Sequence, residues 1–286
     1  QAGFAAVAAI SIAQYAPGDH HSMAPTTHRS TQSKLLVSPE WLADHIGQPA
    51  IKVVDVRSPE AYADGHIPGA VNLPLPGLQT FRDGTPEMLV ELPEFEARLG
   101  QVGIRETDTV ILYDHMWGMP AARVLWALER YGHEDARILD GGIDQWEADG
   151  RPLTRNTPAL SPTTYHARPV DVGEASHDWL RAHLNDPDIL VVDTRTPNEY
   201  QQGHIPGAIN WDWMNAVPFN SPSALRPDGE LRAELEALGV TPDKEIVAYC
   251  RSGARSAHLY FALRHLGYPR VRNYDGSWLA WSAKET

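Results

Sequence analysis

The sequence has almost no cysteine, no long apolar run and a shortage of basic residues. Among 286 residues the only cysteine is Cys250, which excludes an internal disulfide and any zinc or iron–sulfur site built on several cysteines. No stretch approaches the roughly 20 apolar residues of a membrane-spanning helix. Lys and Arg number 24 against 37 Asp and Glu, and the resulting net charge of −13 repels nucleic-acid backbones and anionic lipids. These features argue against a disulfide scaffold, a membrane span and a nucleic-acid partner.

The remaining composition is that of a globular protein. Hydrophobic residues make up 42% and charged residues 21% of the chain, and its length suggests two domains. Residues 1–33 differ, because residues 2–13 are apolar and the following stretch contains His20, His21 and His28. The apolar run fits either part of an export signal or a helix-forming arm, so the compartment stays open between cytoplasm and periplasm. The histidines lack a metal-ligand framework and are interpreted as part of a solvated arm.

An internal repeat dominates the rest of the chain. The segment VVDVRSPEAYADGHIPGAVN begins at Val53, and VVDTRTPNEYQQGHIPGAIN begins 138 positions later at Val191. Later matching segments lie 136 and then 135 positions apart, so the second copy loses one residue just after Cys250. We predict two similar domains, residues 34–152 and 173–286, joined by a proline-containing linker at residues 153–172.

Each copy alternates short β-branched runs with helical patterns. Strands are predicted at Lys52–Val56, Val110–Tyr113, Leu190–Thr194 and Ile246–Tyr249. The GHIPGA segments supply a turn before a further short strand, and a helix is predicted to begin near Ser256. Alternating strands and helices predict an α/β fold in which helices flank a mainly parallel sheet.

Cys250 is the strongest candidate for a catalytic residue. It ends a predicted central strand, which is where open α/β sheets bind ligands. The loop that follows, Arg251, Ser252, Gly253, Ala254 and Arg255, leads into a helix, so its amide N–H groups and the helix dipole would surround an anion. Nearby cations lower the pKa of a thiol and make it more nucleophilic. The alternative is that Cys250 is a buried core residue.

The paired VVDxR and GHIPGA segments, the cysteine followed by RSGAR and the closing DGSW resemble the rhodanese superfamily, in particular its two-domain thiosulfate sulfurtransferases. The resemblance covers Leu35 to Trp281 and implies two tandem rhodanese-like domains, of which only the second is catalytic. Asp114 stands in the first copy where Cys250 stands in the second, and is expected to be structural. We also expect the longer loop from Asp114 to Ala122, which contains Pro120, to break the inward ring of amide donors.

The resemblance also implies the chemistry. Cys250 would take the outer sulfur of thiosulfate as a persulfide and pass it to cyanide, a small thiol or a protein thiol, without a metal or organic cofactor. The loop residues 251–255 and Arg195, which matches the family's VDxR arginine, are the predicted substrate-binding residues. An ion pair between Arg195 and Asp193 is the alternative role for this arginine.

Three other functions remain open. Mercaptopyruvate sulfurtransferases have a similar architecture, but typically carry Gly after the cysteine, whereas Arg251 suits thiosulfate. Glu199 weakens that preference, because animal thiosulfate sulfurtransferases have a substrate-binding Arg at about this place. Cysteine phosphatases and arsenate reductases place five residues between Cys and Arg, and this loop has four. A persulfide relay between proteins is the third alternative.

Overall fold

The chain folds as two similar α/β halves. The computed structural model describes residues 35–170 and 173–285, so the predictions for residues 1–33 lie outside the described residues. The first half contains β1 (Leu36–Val37), α1 (Pro39–His45), β2 (Ile51–Asp55), α2 (Pro59–Asp64), β3 (Val71–Asn72), β4 (Gln79–Arg82), β5 (Thr85–Leu89), α3 (Leu92–Gln101), β6 (Thr109–Tyr113), α4 (Met119–Arg130), β7 (Ala136–Leu139) and α5 (Gly142–Ala148). The second half contains β8 (Glu174–Ala175), α6 (His177–His183), β9 (Ile189–Asp193), α7 (Pro197–Gln201), β10 (Ile209–Asn210), α8 (Asp228–Ala237), β11 (Glu245–Tyr249), α9 (Ala254–His265), β12 (Val271–Tyr274) and α10 (Ser277–Lys284). Short 3₁₀ helices follow β3 and β10, at Leu75–Leu78 and Trp213–Ala216.

The two sheets repeat one topology. Within the described residues, the strand order is β1-β7-β6-β2-β3 in the first sheet and β8-β12-β11-β9-β10 in the second. All neighbouring strands in both sheets are parallel. The predicted α/β fold with tandem parallel sheets is therefore confirmed.

The four predicted strands are present, with small shifts at their ends. The strand predicted at Lys52–Val56 is β2, which begins and ends one residue earlier. Val56 still donates its N–H to Tyr113 O at 3.1 Å, but the chain then turns into Ser58, whose side chain caps α2. In the second half Thr196 caps α7 in the same way.

A β-hairpin is inserted in the first half. Strands β4 and β5 are antiparallel and are joined by Asp83 and Gly84, both with positive φ, of 49° and 77°. Such a turn matches the twist of a two-stranded ribbon. The hairpin brings β5 towards the second half, where the Leu89 N–H donates to an Asp275 carboxylate oxygen at 3.0 Å.

The two halves share one hydrophobic core. Helices α4 and α9 pack against each other, and one buried cluster joins residues of both, including Leu125 and Phe261. Separate buried clusters cover the other face of each sheet. Because α4 and α9 each follow one of the two corresponding loops, the packing brings both loops to the interface between the halves.

The segment predicted as a linker is bound to the first half. The Thr163 N–H donates to Gly100 O at 2.9 Å, Tyr165 is buried, and the Arg168 N–H donates to Tyr131 O at 2.9 Å. These contacts fix the path of the chain between the halves. None of the helices in the described part of the chain is long and apolar enough to span a membrane.

Candidate active site

Cys250 lies at the carboxyl end of β11, the middle strand of the second sheet. A short loop, 251–253, leads into α9, which begins at Ala254, two residues before the expected start. Gly253 precedes the helix with φ +86°, a conformation that glycine adopts without steric cost, and this lets the helix begin at once. The Cys250 side chain is buried where strand, loop and helix meet.

Hydrogen-bond donors converge on the sulfur. The Gly253 N–H donates to Cys250 Sγ at 3.1 Å. The backbone amides of Ser252 and Ser256 also favour the charged form of the sulfur. The positive end of the α9 dipole lies on the same side. The loop is thus an anion-binding site in which the cysteine is itself the anion.

The surroundings lower the pKa of the Cys250 thiol. Burial alone would raise this pKa, because desolvation disfavours a thiolate. The Arg255 guanidinium and the hydrogen bonds from Ser252 and Ser256 outweigh burial, and the pKa lies below its ordinary value. A larger thiolate fraction at neutral pH makes Cys250 a stronger nucleophile.

Arg255 is held beside the sulfur by Glu199. Its Nη1 and Nη2 atoms donate to the two Glu199 carboxylate oxygens, each at 2.8 Å. The pairing lowers the pKa of Glu199 to about 2, and Glu199 is fixed in turn by a capping box with Thr196. Glu199 therefore orients the cation that lowers the pKa of Cys250.

Arg251 is placed differently. Its side chain is 55% exposed, and the Glu87 carboxylate lies 3.8 Å from its Nη1 atom. The Arg251 backbone is fixed, because its carbonyl accepts the Leu279 N–H at 3.1 Å. An exposed guanidinium beside an anion site is suited to contact an incoming oxyanion.

Arg195 is buried and bound within its own half. Its Nε and Nη2 atoms donate to Asp193 at 3.0 and 2.6 Å, and Nη2 also donates to Gly203 O at 2.7 Å. The first half repeats this pairing between Arg57 and Asp55. Because the pair recurs in the half that has no cysteine, the geometry favours the ion pair over contact with a donor.

The closing DGSW motif, residues 275–278, binds the backbone of Cys250 at the start of the loop. The Cys250 N–H donates to Ser277 Oγ at 3.1 Å, and the Trp278 N–H donates to Cys250 O at 3.0 Å. Asp275 faces the first half and forms a buried ion pair with Arg123. The motif therefore joins the active loop to the other half of the molecule.

Sequence reasoning missed two residues of the first half that reach this loop. Arg123 on α4 donates to Gly253 O at 3.5 Å, and Glu87 on β5 accepts a hydrogen bond from the Ser252 hydroxyl. The contacts join residues 130 and 165 positions apart, so no local pattern predicts them. The Asp-Gly turn signals the hairpin that carries Glu87, but not where the hairpin docks.

Asp114 fills the corresponding loop of the first half. Its carboxylate accepts the N–H groups of Met116 at 2.7 Å, Gly118 at 3.0 Å and Ala121 at 2.9 Å. The expectation that this longer loop, with Pro120, would break the inward ring of donors is wrong. A carboxylate has two oxygens and reaches further than one sulfur, so it engages the amides of a wider loop. Burial raises the pKa of Asp114, and the three amides counteract that rise.

The histidines of the two GHIPGA segments and the aromatic residues after the second segment have structural contacts. His66 and His204 each bond through Nδ1 to the carbonyl four residues earlier, at 2.8 and 3.0 Å, one in each half. Trp213 packs edge-on against His258 at 5.4 Å, buried Trp211 donates to Glu234, and Met214 is half-buried. No group of three or more His, Cys, Asp or Glu in residues 35–170 and 173–285 is placed to hold a metal ion.

Comparison with known proteins identifies relatives of the whole described chain. The rhodanese-like domain family matches residues 38–149 and 176–284. A thiosulfate sulfurtransferase of Pseudomonas aeruginosa is 36% identical over 86% of this chain and 93% of its own length. The sulfur carrier protein TtuD of Thermus thermophilus is also 36% identical, over 87% and 93%. The crystal structure of SseA from Escherichia coli, a 3-mercaptopyruvate sulfotransferase, superimposes with a TM-score of 0.77 at 30% identity, covering 85% of this chain and 98% of SseA.

Proposed function

The chain belongs to the rhodanese family, and on that premise we propose that it is a sulfurtransferase that accepts the sulfane sulfur of thiosulfate on Cys250. The sulfur then passes to cyanide or to a thiol. Curated relatives at 36% identity over most of the chain are thiosulfate sulfurtransferases, which supports this donor.

The N–H donors and the Arg255 guanidinium placed around the Cys250 sulfur carry the proposal. The thiolate attacks the outer sulfur of thiosulfate, a new S–S bond forms, and the old S–S bond breaks with its electron pair leaving on sulfite. The product is a Cys250 persulfide whose terminal sulfur is negatively charged. The amides of Ser252, Gly253 and Ser256, which favour the thiolate, are positioned to stabilise that charge as well.

The second half-reaction restores the enzyme. Cyanide attacks the terminal sulfur, the bond to Cys250 breaks, thiocyanate leaves and the thiolate returns. With a thiol acceptor the product is a new persulfide, and the proton of the thiol goes to solvent. The sulfur is the only group carried, so the cycle needs no organic cofactor.

The proposed roles differ among the predicted site residues. Cys250 is the nucleophile, Arg251 contacts the donor oxyanion, and the backbone of residues 252–254 surrounds the sulfur. Arg255 positions and stabilises the thiolate. Arg195 is proposed to act through its ion pair, as a support of the fold. Residues 34–152 form the silent domain, 153–172 the linker and 173–286 the catalytic domain.

A second candidate donor is 3-mercaptopyruvate, favoured by the likeness to SseA over 85% of the chain. The same loop could also serve a persulfide relay, which differs from the main proposal only in its acceptor, a protein thiol. The phosphatase reaction is disfavoured, because only four residues separate Cys250 from Arg255, one fewer than in the phosphatase loop.

The test is mass spectrometry of the purified protein before and after addition of thiosulfate, and again after cyanide. We expect Cys250 to gain the mass of one sulfur atom and to lose it with cyanide. Cys250→Ser, a nearly isosteric change to a far weaker sulfur nucleophile, is expected to abolish both steps while leaving the circular dichroism spectrum unchanged. Thiocyanate formation by Cys250→Ser would refute the assignment, sulfur gain only with 3-mercaptopyruvate would favour the second donor, and phosphate trapped on Cys250 would favour the phosphatase.

A further inference from the structure

Glu87 is directed at the active loop by an irregularity in the hairpin of the silent half. Thr80 pairs with Met88 and Arg82 with Thr85, so two residues of β5 stand opposite one residue of β4. Within this bulge Glu87 has φ +61°, the left-handed conformation that is uncommon outside glycine. Bulges re-aim side chains and are enriched beside active sites.

The backbone of Glu87 is held in this conformation by Arg123. The Arg123 guanidinium, which bonds Gly253 O in the active loop, also donates from Nη2 to Glu87 O at 3.3 Å. One buried arginine therefore links the bulge to the loop that surrounds the sulfur. This fixes the Glu87 side chain relative to Cys250, although the two belong to different halves.

The Glu87 carboxylate lies at the groups that would receive a donor. It accepts the hydroxyl hydrogen of Ser252, whose amide stabilises the Cys250 sulfur, and lies 3.8 Å from the Arg251 guanidinium. The Glu87 side chain is 44% exposed, so its charge faces incoming molecules. It competes with any anionic donor for Arg251.

We infer that Glu87 is a specificity-determining residue that weakens the reaction of the site with dianionic sulfane-sulfur donors such as thiosulfate relative to monoanionic ones. The charges around the reacting sulfur are the thiolate, Glu87 and Glu199 against Arg251 and Arg255, which leaves one net negative charge. Without Glu87 the sum is zero and Arg251 is unpaired. The inference rests on the proposed sulfur transfer through Cys250, and it adds that the net charge of the donor affects how fast the sulfur is transferred.

Two donors of nearly the same shape test this charge dependence. Thiosulfate carries two negative charges, and in methanethiosulfonate a methyl group replaces one charged oxygen. Both react alike: the thiolate attacks the outer sulfur, the donor S–S bond breaks, and its electron pair leaves on sulfite or on methanesulfinate. The readout is the rate of the first half-reaction, followed by quenching and mass spectrometry of the Cys250 persulfide.

The decisive variant is Glu87→Gln, which removes the charge and keeps an acceptor for Ser252. We expect it to raise the second-order rate constant with thiosulfate about two- to fivefold, the range expected for a partly exposed charge interaction, and to change the rate with methanethiosulfonate by about twofold or less. The gain should shrink as salt increases. Glu87→Asn tolerates the left-handed backbone and removes the same charge, so it is expected to behave alike.

Glu94→Gln is the matched control, since it changes the net charge equally at a site on α3 that pairs with Arg98. It should leave both rates unchanged. The inference is overturned if Glu87→Gln and Glu87→Asn keep the wild-type ratio of the two rates, or if Glu94→Gln shifts that ratio as much. If neither donor forms a persulfide on the wild-type protein, the proposed function itself fails and the inference falls with it.

Discussion

Gly253→Ala is expected to raise the pKa of the Cys250 thiol. A Cβ atom at position 253 would lie 2.8 Å from Arg123 Nη1 and 2.8 Å from the Asp275 backbone oxygen. The arginine side chain could move, but the backbone oxygen is fixed by the DGSW segment. The loop must therefore shift, and with it the Gly253 N–H that now lies 3.1 Å from the sulfur.

The size of the effect follows from the lost hydrogen bond. A hydrogen bond to a charged group contributes about 1.5–3 kcal/mol, and one pKa unit corresponds to about 1.4 kcal/mol. The pKa of Cys250 should therefore rise by about 1–2 units. The left-handed backbone of residue 253, at φ +86°, also costs alanine about 1–2 kcal/mol of folding free energy.

The assay is the pH dependence of alkylation by iodoacetamide, which reports the thiolate fraction directly because Cys250 is the only cysteine. Gly267→Ala is the control: its φ is +85°, but a Cβ there would meet nothing within 4 Å. It should lose similar stability in urea and keep the wild-type alkylation profile. The reasoning is refuted if Gly253→Ala also keeps that profile while folded.

Three further predictions concern the titrating and charged groups. Burial lowers the pKa of His258 to about 4, so as the pH falls from about 6.5 towards 4 the unfolded chain binds a proton before the folded chain does, and the free energy of unfolding decreases. In urea melts at a series of pH values, His258→Gln should reduce this dependence of stability on pH. The same substitution at the exposed His204 is the control and should not reduce it. Arg251→Gly should raise the activation free energy of persulfide formation from thiosulfate by about 1–2 kcal/mol and leave the step with cyanide unchanged. Arg255→Ala should instead slow both steps and raise the pKa of Cys250. Single-turnover mass spectrometry measures each step separately, and equal slowing of both steps by Arg251→Gly would contradict the prediction. Asp114→Asn should reduce the free energy of unfolding by about 1–3 kcal/mol, because an amide oxygen replaces the carboxylate that accepts three N–H groups. Unaltered urea melts would contradict this prediction.

The fold and the immediate surroundings of Cys250 were predictable because both depend on neighbours in sequence. The repeat defines two similar α/β units, and a β-branched run followed by a short loop and a helical pattern places residues 251–255 around the strand end. Even the start of α9 was misplaced by only two residues. The missing detail was the left-handed Gly253, which shortens the loop and brings Ser256 into the first helical turn.

The contacts made by Glu87 and Arg123 could not be predicted in the same way. They depend on how two sheets and a hairpin pack, over separations of 165 and 130 positions. The error at Asp114 has a related cause: counting donors along the loop ignores the size of the acceptor, and a carboxylate satisfies a loop that one sulfur atom would leave partly unpaired.

The two loops show why a half without a nucleophile is retained in the molecule. In each half the group that ends the central strand accepts the N–H of the glycine before the next helix, Gly118 to the Asp114 carboxylate and Gly253 to the Cys250 sulfur. In the first half the acceptor is a carboxyl group, which cannot exchange sulfur, and its bonds to three N–H groups hold the loop. This loop leads into α4, which carries Arg123. Through Arg123 the first half contacts both the bulge of its own hairpin and the backbone of Gly253 next to the cysteine. The anion site at Cys250 therefore depends on the first half for its geometry, and changes at the interface between the halves should alter the pKa of Cys250 before they alter the fold.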